Sequence, residues 1–149
     1  MIRWGTARRA WLIALTAASC SSLPAPPPAE SILLASDVEE ELQAGAVLID
    51  VRGPTERARD GVPRTAHQWL PFGPDNWAGQ PPPETVQSFQ QSVASLRSGR
   101  PQRFILLCSV GVRSSAAARA LRAAGHDADS IMDGWLGNDA GPGLRASQR

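Results

Sequence analysis

The stretch that decides the fold is 104–121, FILLCSVGVRSSAAARAL, where an apolar run meets an alanine-rich segment through a short turn. The run 104–108 predicts a buried strand, because all-apolar strands are typical of parallel sheets covered on both faces. The segment 114–124 predicts a helix that Gly125 ends. A strand that leads directly into a helix is the repeating unit of an α/β fold.

The rest of the chain continues this alternation of helix and strand. A capping-box pattern over 36–39 predicts the start of a short helix, and apolar residues spaced three and four apart predict a longer helix over 84–98. The other predicted elements are a strand over 46–50, a helical turn over 55–60, a proline-rich loop over 71–83 and a short strand over 128–132. The sequence therefore predicts an α/β fold with a central parallel sheet and helices on both faces.

The domain organisation follows from length and composition. A chain of 149 residues, 42% hydrophobic and 19% charged, is long enough for one soluble globular domain and too short for two well-buried ones. We place this domain over 36–141 and expect the side chains of Trp69 and Leu70 to be buried in it. We expect a disordered tail over 142–149. The formal net charge of +1 gives no indication of a nucleic-acid partner.

The first residues have the layout of an export signal. Three arginines precede the uncharged apolar run 10–18, which small residues follow. The run is too short to cross a membrane as a helix, so we interpret 1–20 as a signal peptide and expect an exported protein of the periplasm or cell envelope. The proline- and serine-rich segment 21–35 is typical of a tether.

Cys20 has two interpretations. The stretch LTAASCSS resembles a bacterial lipoprotein box, in which the cysteine becomes a lipid-carrying N-terminus, and an N-terminal lipid would then be the only link to a membrane. Alternatively, an ordinary signal peptidase cuts at these small residues and Cys20 has no role. In either case Cys108 has no disulfide partner in the folded domain, because the chain contains only two cysteines.

Cys108 lies where the predicted strand 104–108 ends. Ligands of parallel α/β sheets bind beyond the carboxyl ends of the strands, where helix N-termini also point. The amide groups of the turn can converge on the sulfur and, with the helix dipole, stabilise a thiolate there. A free cysteine at a strand end is also often a plain core residue. The glycine, the arginine and the helix start that come after it favour a reactive site.

Besides the cysteine, the candidate site residues are those of the turn and the helix start. Gly111 permits the tight turn, and Arg113 provides a cationic fork that can hold the carbonyls of the loop or an oxyanion of the substrate. The predicted substrate-binding set is Ser109, Val110, Gly111, Val112, Arg113 and Ser114.

Two segments of the chain resemble the rhodanese family of sulfurtransferases. VLIDVRGPTERARDGVPRTAHQWLP, which contains Asp50, Arg52 and Glu56, is similar to the opening strand of that family and the segment after it. CSVGVRSSAAARALRAAGHDADSIMDGW is similar to its active loop, helix and closing glycine-tryptophan turn. Four residues separate Cys108 from Arg113, whereas related phosphatase loops have five, which favours sulfur over phosphate chemistry.

The resemblance implies that Cys108 accepts sulfane sulfur from a donor, carries it as a persulfide and passes it to a thiol or cyanide. Members that favour thiosulfate often have a further cation in the loop, so the neutral Ser109, Val110 and Val112 imply a larger or protein-borne donor. Two other functions stay open: a non-catalytic module that binds an anion or a partner, and a redox thiol of the cell envelope.

Other polar residues are interpreted as structural. Asp50 and Arg52 resemble the buried charges that hold the first strand of the family against its loops. His67 and His126 have no metal-ligand spacing, and neither is an obvious general base. The sequence therefore predicts no metal and no cofactor. The expected partners are a small sulfur donor or a protein that carries a persulfide or an acceptor thiol.

Overall fold

The computed structural model describes residues 29–75, 77, 79–96 and 101–149. Its centre is a four-stranded sheet in the order β2-β1-β3-β4, in which every neighbouring pair of strands is parallel. The strands are β1 (Val47–Asp50), β2 (Gln68–Trp69), β3 (Arg103–Leu107) and β4 (Asp127–Ser130). In the central pair Asp50 lies opposite Leu107, so the ends of both strands reach the same edge of the sheet.

Five helices surround the sheet. They are α1 (Val38–Gln43), which follows a 3₁₀ turn, α2 (Pro54–Asp60), α3 (Pro83–Ser95), α4 (Val112–Ala123) and α5 (Leu144–Ser147). Alternate residues of β3 point to opposite faces, as the two-residue period of a strand requires. Phe104 and Leu106 pack with residues of α3 and α4, whereas Ile105 and Leu107 pack with residues of α1 and α5. The prediction of a parallel sheet with helices on both faces is confirmed.

The packed domain is longer at both ends than the sequence indicated. At the start, Leu33 is buried and forms a bridge to Ile131, so the end of the predicted tether 21–35 adds to the sheet. At the end, the predicted disordered tail 142–149 contains α5, because Leu144 is buried in the core. Single apolar residues produce both contacts, and a single residue gives no periodic pattern in the sequence.

Two local predictions also differ from the structure. The predicted capping box at Ser36 is absent: a 3₁₀ turn over Ala35–Asp37 precedes the helix, and the Asp37 carboxylate accepts the Leu34 amide at the start of that turn at 2.8 Å. Trp69 is 45% exposed, although it was expected inside. Its indole N–H donates to the Arg52 carbonyl at 2.8 Å, which holds the ring over the surface at the edge strand β2.

Several predictions concern residues outside those described. The signal peptide 1–20, the lipidation residue Cys20, most of the tether and the predicted stop at Gly99 belong to this group. Among the described residues, no helix has both the length and the apolar character that a membrane crossing needs.

Candidate active site

The loop after β3 brings Cys108 to the carboxyl edge of the sheet and then turns sharply into α4. Gly111 makes this turn with a φ of +89°, in the left-handed region that glycine adopts without strain. A Cβ at this position would also overlap the carbonyl oxygen of Met132. Only glycine therefore fits between the loop and the chain that follows β4.

Two hydrogen bonds reach the sulfur of Cys108. The Gly111 amide donates to Sγ at 3.1 Å, and the Ser114 hydroxyl lies 3.3 Å from Sγ in donor geometry. The Ser114 hydroxyl also lies 2.7 Å from the hydroxyl of Ser130 on β4 and 3.1 Å from the Gly111 carbonyl. A hydroxyl has one proton to give, so when Ser130 donates to Ser114, the sulfur and the Gly111 carbonyl share the Ser114 proton.

The turn that follows β4 binds the carbonyl groups of the cysteine loop, on the side of the loop that faces away from the sulfur. The amides of Trp135 and Leu136 donate to the carbonyls of Cys108 and Ser109 at 2.8 and 2.9 Å. The side-chain amide of Asn138 donates to the Val110 carbonyl at 3.0 Å. Because a trans peptide directs its N–H opposite to its C=O, the bond to the Val110 carbonyl turns the Gly111 amide toward the sulfur.

A cavity of about 220 Å³ opens above the sulfur. Cys108 itself is 1% exposed and is one of the residues that line this cavity. Val110 and Val112 are 43% and 57% exposed and border the opening. The residues that line the cavity are Glu56, Trp77, Cys108, Ser109, Val110, Val112 and Arg113.

A buried ion pair forms one wall of the cavity. Arg113 donates from Nη2 to Oε1 of Glu56 at 2.6 Å and from Nη1 to the Pro74 carbonyl at 3.3 Å. Glu56 also accepts the Ser109 hydroxyl at 2.7 Å and the Gly53 amide at 3.0 Å. Burial alone would raise the pKa of Glu56, but these hydrogen bonds and the charge of Arg113 lower it to about 2. The wall is therefore a carboxylate–guanidinium pair at neutral pH.

Arg113 thus has partners that the sequence did not indicate. It was expected to hold the carbonyls of its own loop or an oxyanion, but in the described part of the chain its bonds go to Glu56 and Pro74. Its Nε is buried and has no hydrogen-bond partner among the described residues. The guanidinium therefore links the cysteine loop to α2 and to the proline-rich loop.

Asp50 and Arg52 lie behind the site and not in it. Arg52 donates from Nε and Nη2 to the two carboxylate oxygens of Asp50 at 2.9 and 2.8 Å, and both side chains are fully buried. The same guanidinium donates to the Gly61 carbonyl and stacks 4.9 Å from the centre of the Trp135 ring. The pair thereby fixes the end of β1 to the turn that holds the cysteine loop.

The structure brings the predicted residues together around one sulfur. Gly111 and Ser114 contact Sγ, whereas Ser109, Val110, Val112 and Arg113 line the cavity. Sequence reasoning gave no role at the site to Glu56, Trp77 or Ser130. The sequence signal for Glu56 was its place three residues after Gly53 at the start of α2, where a carboxylate accepts the free amide.

The described residues contain no group of three or more His, Cys, Asp and Glu side chains arranged to hold a metal ion. The two histidines lie apart. His67 contacts the Thr65 carbonyl at 2.9 Å and the Arg57 guanidinium at 3.4 Å, and His126 packs edge-on against Phe104.

Comparison with solved structures finds similar folds at low sequence identity. A rhodanese homologue from the bacterium Thermus thermophilus has 22% identity and a TM-score of 0.47, covering 78% of this chain and 99% of its own. The reduced CoADR-RHD protein of Bacillus anthracis has 17% identity and a TM-score of 0.51, covering 70% of this chain but only 15% of its own length. A protein of unknown function from Rhodopseudomonas palustris, described as a possible tyrosine phosphatase, has 22% identity and a TM-score of 0.47, covering 79% and 81%.

Comparison with curated protein sequences found no match. The model of the rhodanese-like domain family, however, matches residues 34–137. This range contains the whole sheet, the cysteine loop and the Glu56–Arg113 pair. The match begins at Leu34, two residues before the domain start predicted from the sequence. Since the match covers most of the chain, this protein belongs to the rhodanese-like domain family.

Proposed function

We propose that this domain is a sulfurtransferase in which Cys108 carries sulfane sulfur as a persulfide. The observation that carries the proposal is the position of Sγ at the floor of the cavity, 3.1 Å from the Gly111 amide and 3.3 Å from the Ser114 hydroxyl. Both donors can stabilise negative charge on Sγ in the thiolate, before it attacks a donor and again when the persulfide has given up its terminal sulfur. A plain core cysteine needs neither donor nor cavity.

The reaction has two balanced halves. The Cys108 thiolate attacks the outer sulfur of a donor R–S–S⁻, a new S–S bond forms, and R–S⁻ leaves with the electron pair of the broken bond. A thiolate or cyanide acceptor then attacks the terminal sulfur of the persulfide, and Sγ leaves as the thiolate. No oxidant or reductant is consumed, and sulfur passes from one anion to another.

Neither half requires a general base, because the nucleophile and both leaving groups are anions. This agrees with a cavity wall whose carboxylate, Glu56, is held as a permanent anion by Arg113. The role of the wall is then to position the loop. The cavity of about 220 Å³ leaves room for the terminal sulfur beside Ser109, Val110 and Arg113.

Steady-state kinetics test the proposal. With polysulfide as donor and cyanide as acceptor, the wild-type protein should form thiocyanate with ping-pong kinetics. Cys108→Ser should abolish turnover, and Cys20→Ser, the matched cysteine control, should leave it unchanged. Absence of turnover with every donor would refute the proposal. Retained binding of a partner by Cys108→Ser would then support a non-catalytic module, and a sulfenic acid at Cys108 would support a redox thiol.

We also propose that the protein is exported, because a basic start, a short apolar run and small residues open the chain. Cell fractionation tests export, and metabolic labelling with a fatty acid tests a lipid on Cys20. Label in the wild type that Cys20→Ser removes would support the lipoprotein interpretation. Export without label would support ordinary signal cleavage, and a protein that stays in the cytoplasm would refute export.

A further inference from the structure

A second cavity, of about 350 Å³, adjoins the one above Cys108. The two cavities share Trp77, Val112 and Arg113, so these side chains form the boundary between them. The remaining residues that line the second cavity are Gly79, Gln80, Ala116 and Arg119. The two cavities are therefore direct neighbours, with these three side chains between them.

The floor of the second cavity is one stripe of α4. Val112, Ala116 and Arg119 are spaced four and three residues apart and so lie on the same face of the helix. Arg119 comes about 10 Å after Val112 along the axis, and helical side chains point back toward the N-terminus. The small side chain of Ala116 leaves space between the apolar start of the stripe and its cationic end.

The charges of the two cavities differ. In the first, the carboxylate of Glu56 offsets the guanidinium of Arg113 at 2.6 Å. In the second, Arg119 is exposed, and within the described part of the chain its guanidinium has no carboxylate partner. Arg113, which is 5% exposed and borders both cavities, has a buried Nε without a hydrogen-bond partner among the described residues. The second cavity thus contains one guanidinium, that of Arg119, whose charge no carboxylate of the described residues offsets.

We infer that the second cavity binds the carrier portion of an organic sulfur donor, with an apolar or aromatic segment beside Trp77 and Val112 and a carboxylate at Arg119. This inference rests on the proposed sulfurtransferase function and names its donor class. Thiosulfate is too small to reach Arg119 from the sulfur. Its two negative charges would also meet a guanidinium, Arg113, that is already paired with Glu56, beside two exposed valines.

Two arenethiosulfonates of equal shape test the inference: benzenethiosulfonate with a para-carboxylate and the same compound with a para-carboxamide. The Cys108 thiolate attacks the sulfane sulfur, the bond between the two sulfur atoms of the donor breaks, and the arenesulfinate leaves with the electron pair. Initial rates of thiocyanate formation with cyanide as acceptor give kcat and KM for each donor.

The carboxylate donor should have the lower KM in the wild type. Arg119→Gln should raise its KM by about fivefold, the value of one exposed ion pair, with little change in kcat. The carboxamide donor should not respond to this change. Arg64→Gln, which removes an exposed arginine from a distant loop, is the matched control and should change neither donor.

The outcomes separate this inference from the proposed function. If both donors turn over but Arg119→Gln affects them equally or not at all, the carrier site is refuted and the sulfurtransferase remains. If neither donor, nor polysulfide, transfers sulfur in any variant, the proposed function itself is refuted. Only a selective loss for the carboxylate donor supports the inference.

Discussion

Removal of the buried carboxylate beside the cavity should change how stability depends on pH. Glu56 is 1% exposed and accepts hydrogen bonds from Arg113, Ser109 and the Gly53 amide. Burial opposes its ionisation, but these donors and the charge of Arg113 lower its pKa from the ordinary value of 4.5 to about 2. Glu56→Gln keeps the size of the side chain and removes the charge.

The magnitude follows from the difference between the two pKa values. A group whose pKa is lower in the folded state stabilises that state above its unfolded pKa, because the unfolded chain binds the proton first as the pH falls. For Glu56 the contribution is about 3 kcal/mol at neutral pH, at roughly 1.4 kcal/mol per pKa unit. It should be complete above pH 4.5 and disappear as the pH falls toward 2.

Urea unfolding of the wild type and of Glu56→Gln, measured between about pH 7 and pH 3, checks this prediction. The free energy of unfolding of the variant should be about 3 kcal/mol lower than that of the wild type at neutral pH. This difference in stability should become smaller as the pH falls. Glu40→Gln, on the exposed side of α1, is the matched control and should stay close to the wild type. A gap that is independent of pH, or absent at neutral pH, would refute the reasoning.

Four other substitutions test separate parts of the structure. Gly111→Ala should abolish sulfur transfer and cost at least about 1–2 kcal/mol in urea unfolding, because it forces a side chain into a left-handed turn. Ser130→Ala should lower kcat several-fold with little loss of stability if its hydroxyl orients that of Ser114, and equal kcat values would contradict this. Asp50→Asn should destabilise the fold by roughly 3–5 kcal/mol, because it breaks a buried ion pair, and a neutral effect in urea would contradict this. Leu144→Ala should cost roughly 2–5 kcal/mol if the C-terminal helix is part of the core, and an unchanged unfolding midpoint would contradict this.

The sheet could be predicted from the sequence because its strands are apolar runs between clear turn signals. The runs around Leu48 and Leu106 are buried on both faces, and such runs are informative by themselves. The two-residue strand β2 was missed, since an edge strand of that length has no pattern to detect. The sequence predicted a buried Trp69, but its ring is exposed on this strand. Residue type alone does not distinguish a buried ring from one that lies on the surface.

The composition of the candidate site could be predicted where neighbours in the chain are neighbours in space. Gly111 and Ser114 act on a sulfur only a few residues away, so their spacing carried the information. The partner of Arg113 could not be found in this way, because Glu56 is on another helix and the contact depends on how α2 packs. The same applies to Ser130, which reaches the site from β4.

The measurement that most directly tests the account is the mass of the Cys108 peptide after the protein meets polysulfide and the excess is removed. The account predicts the addition of one sulfur atom on this peptide, its loss when cyanide or a thiol is added, and no such addition at position 108 in Cys108→Ser. An unchanged peptide mass, or a mass that shows only added oxygen, would contradict a sulfur carrier at the end of β3.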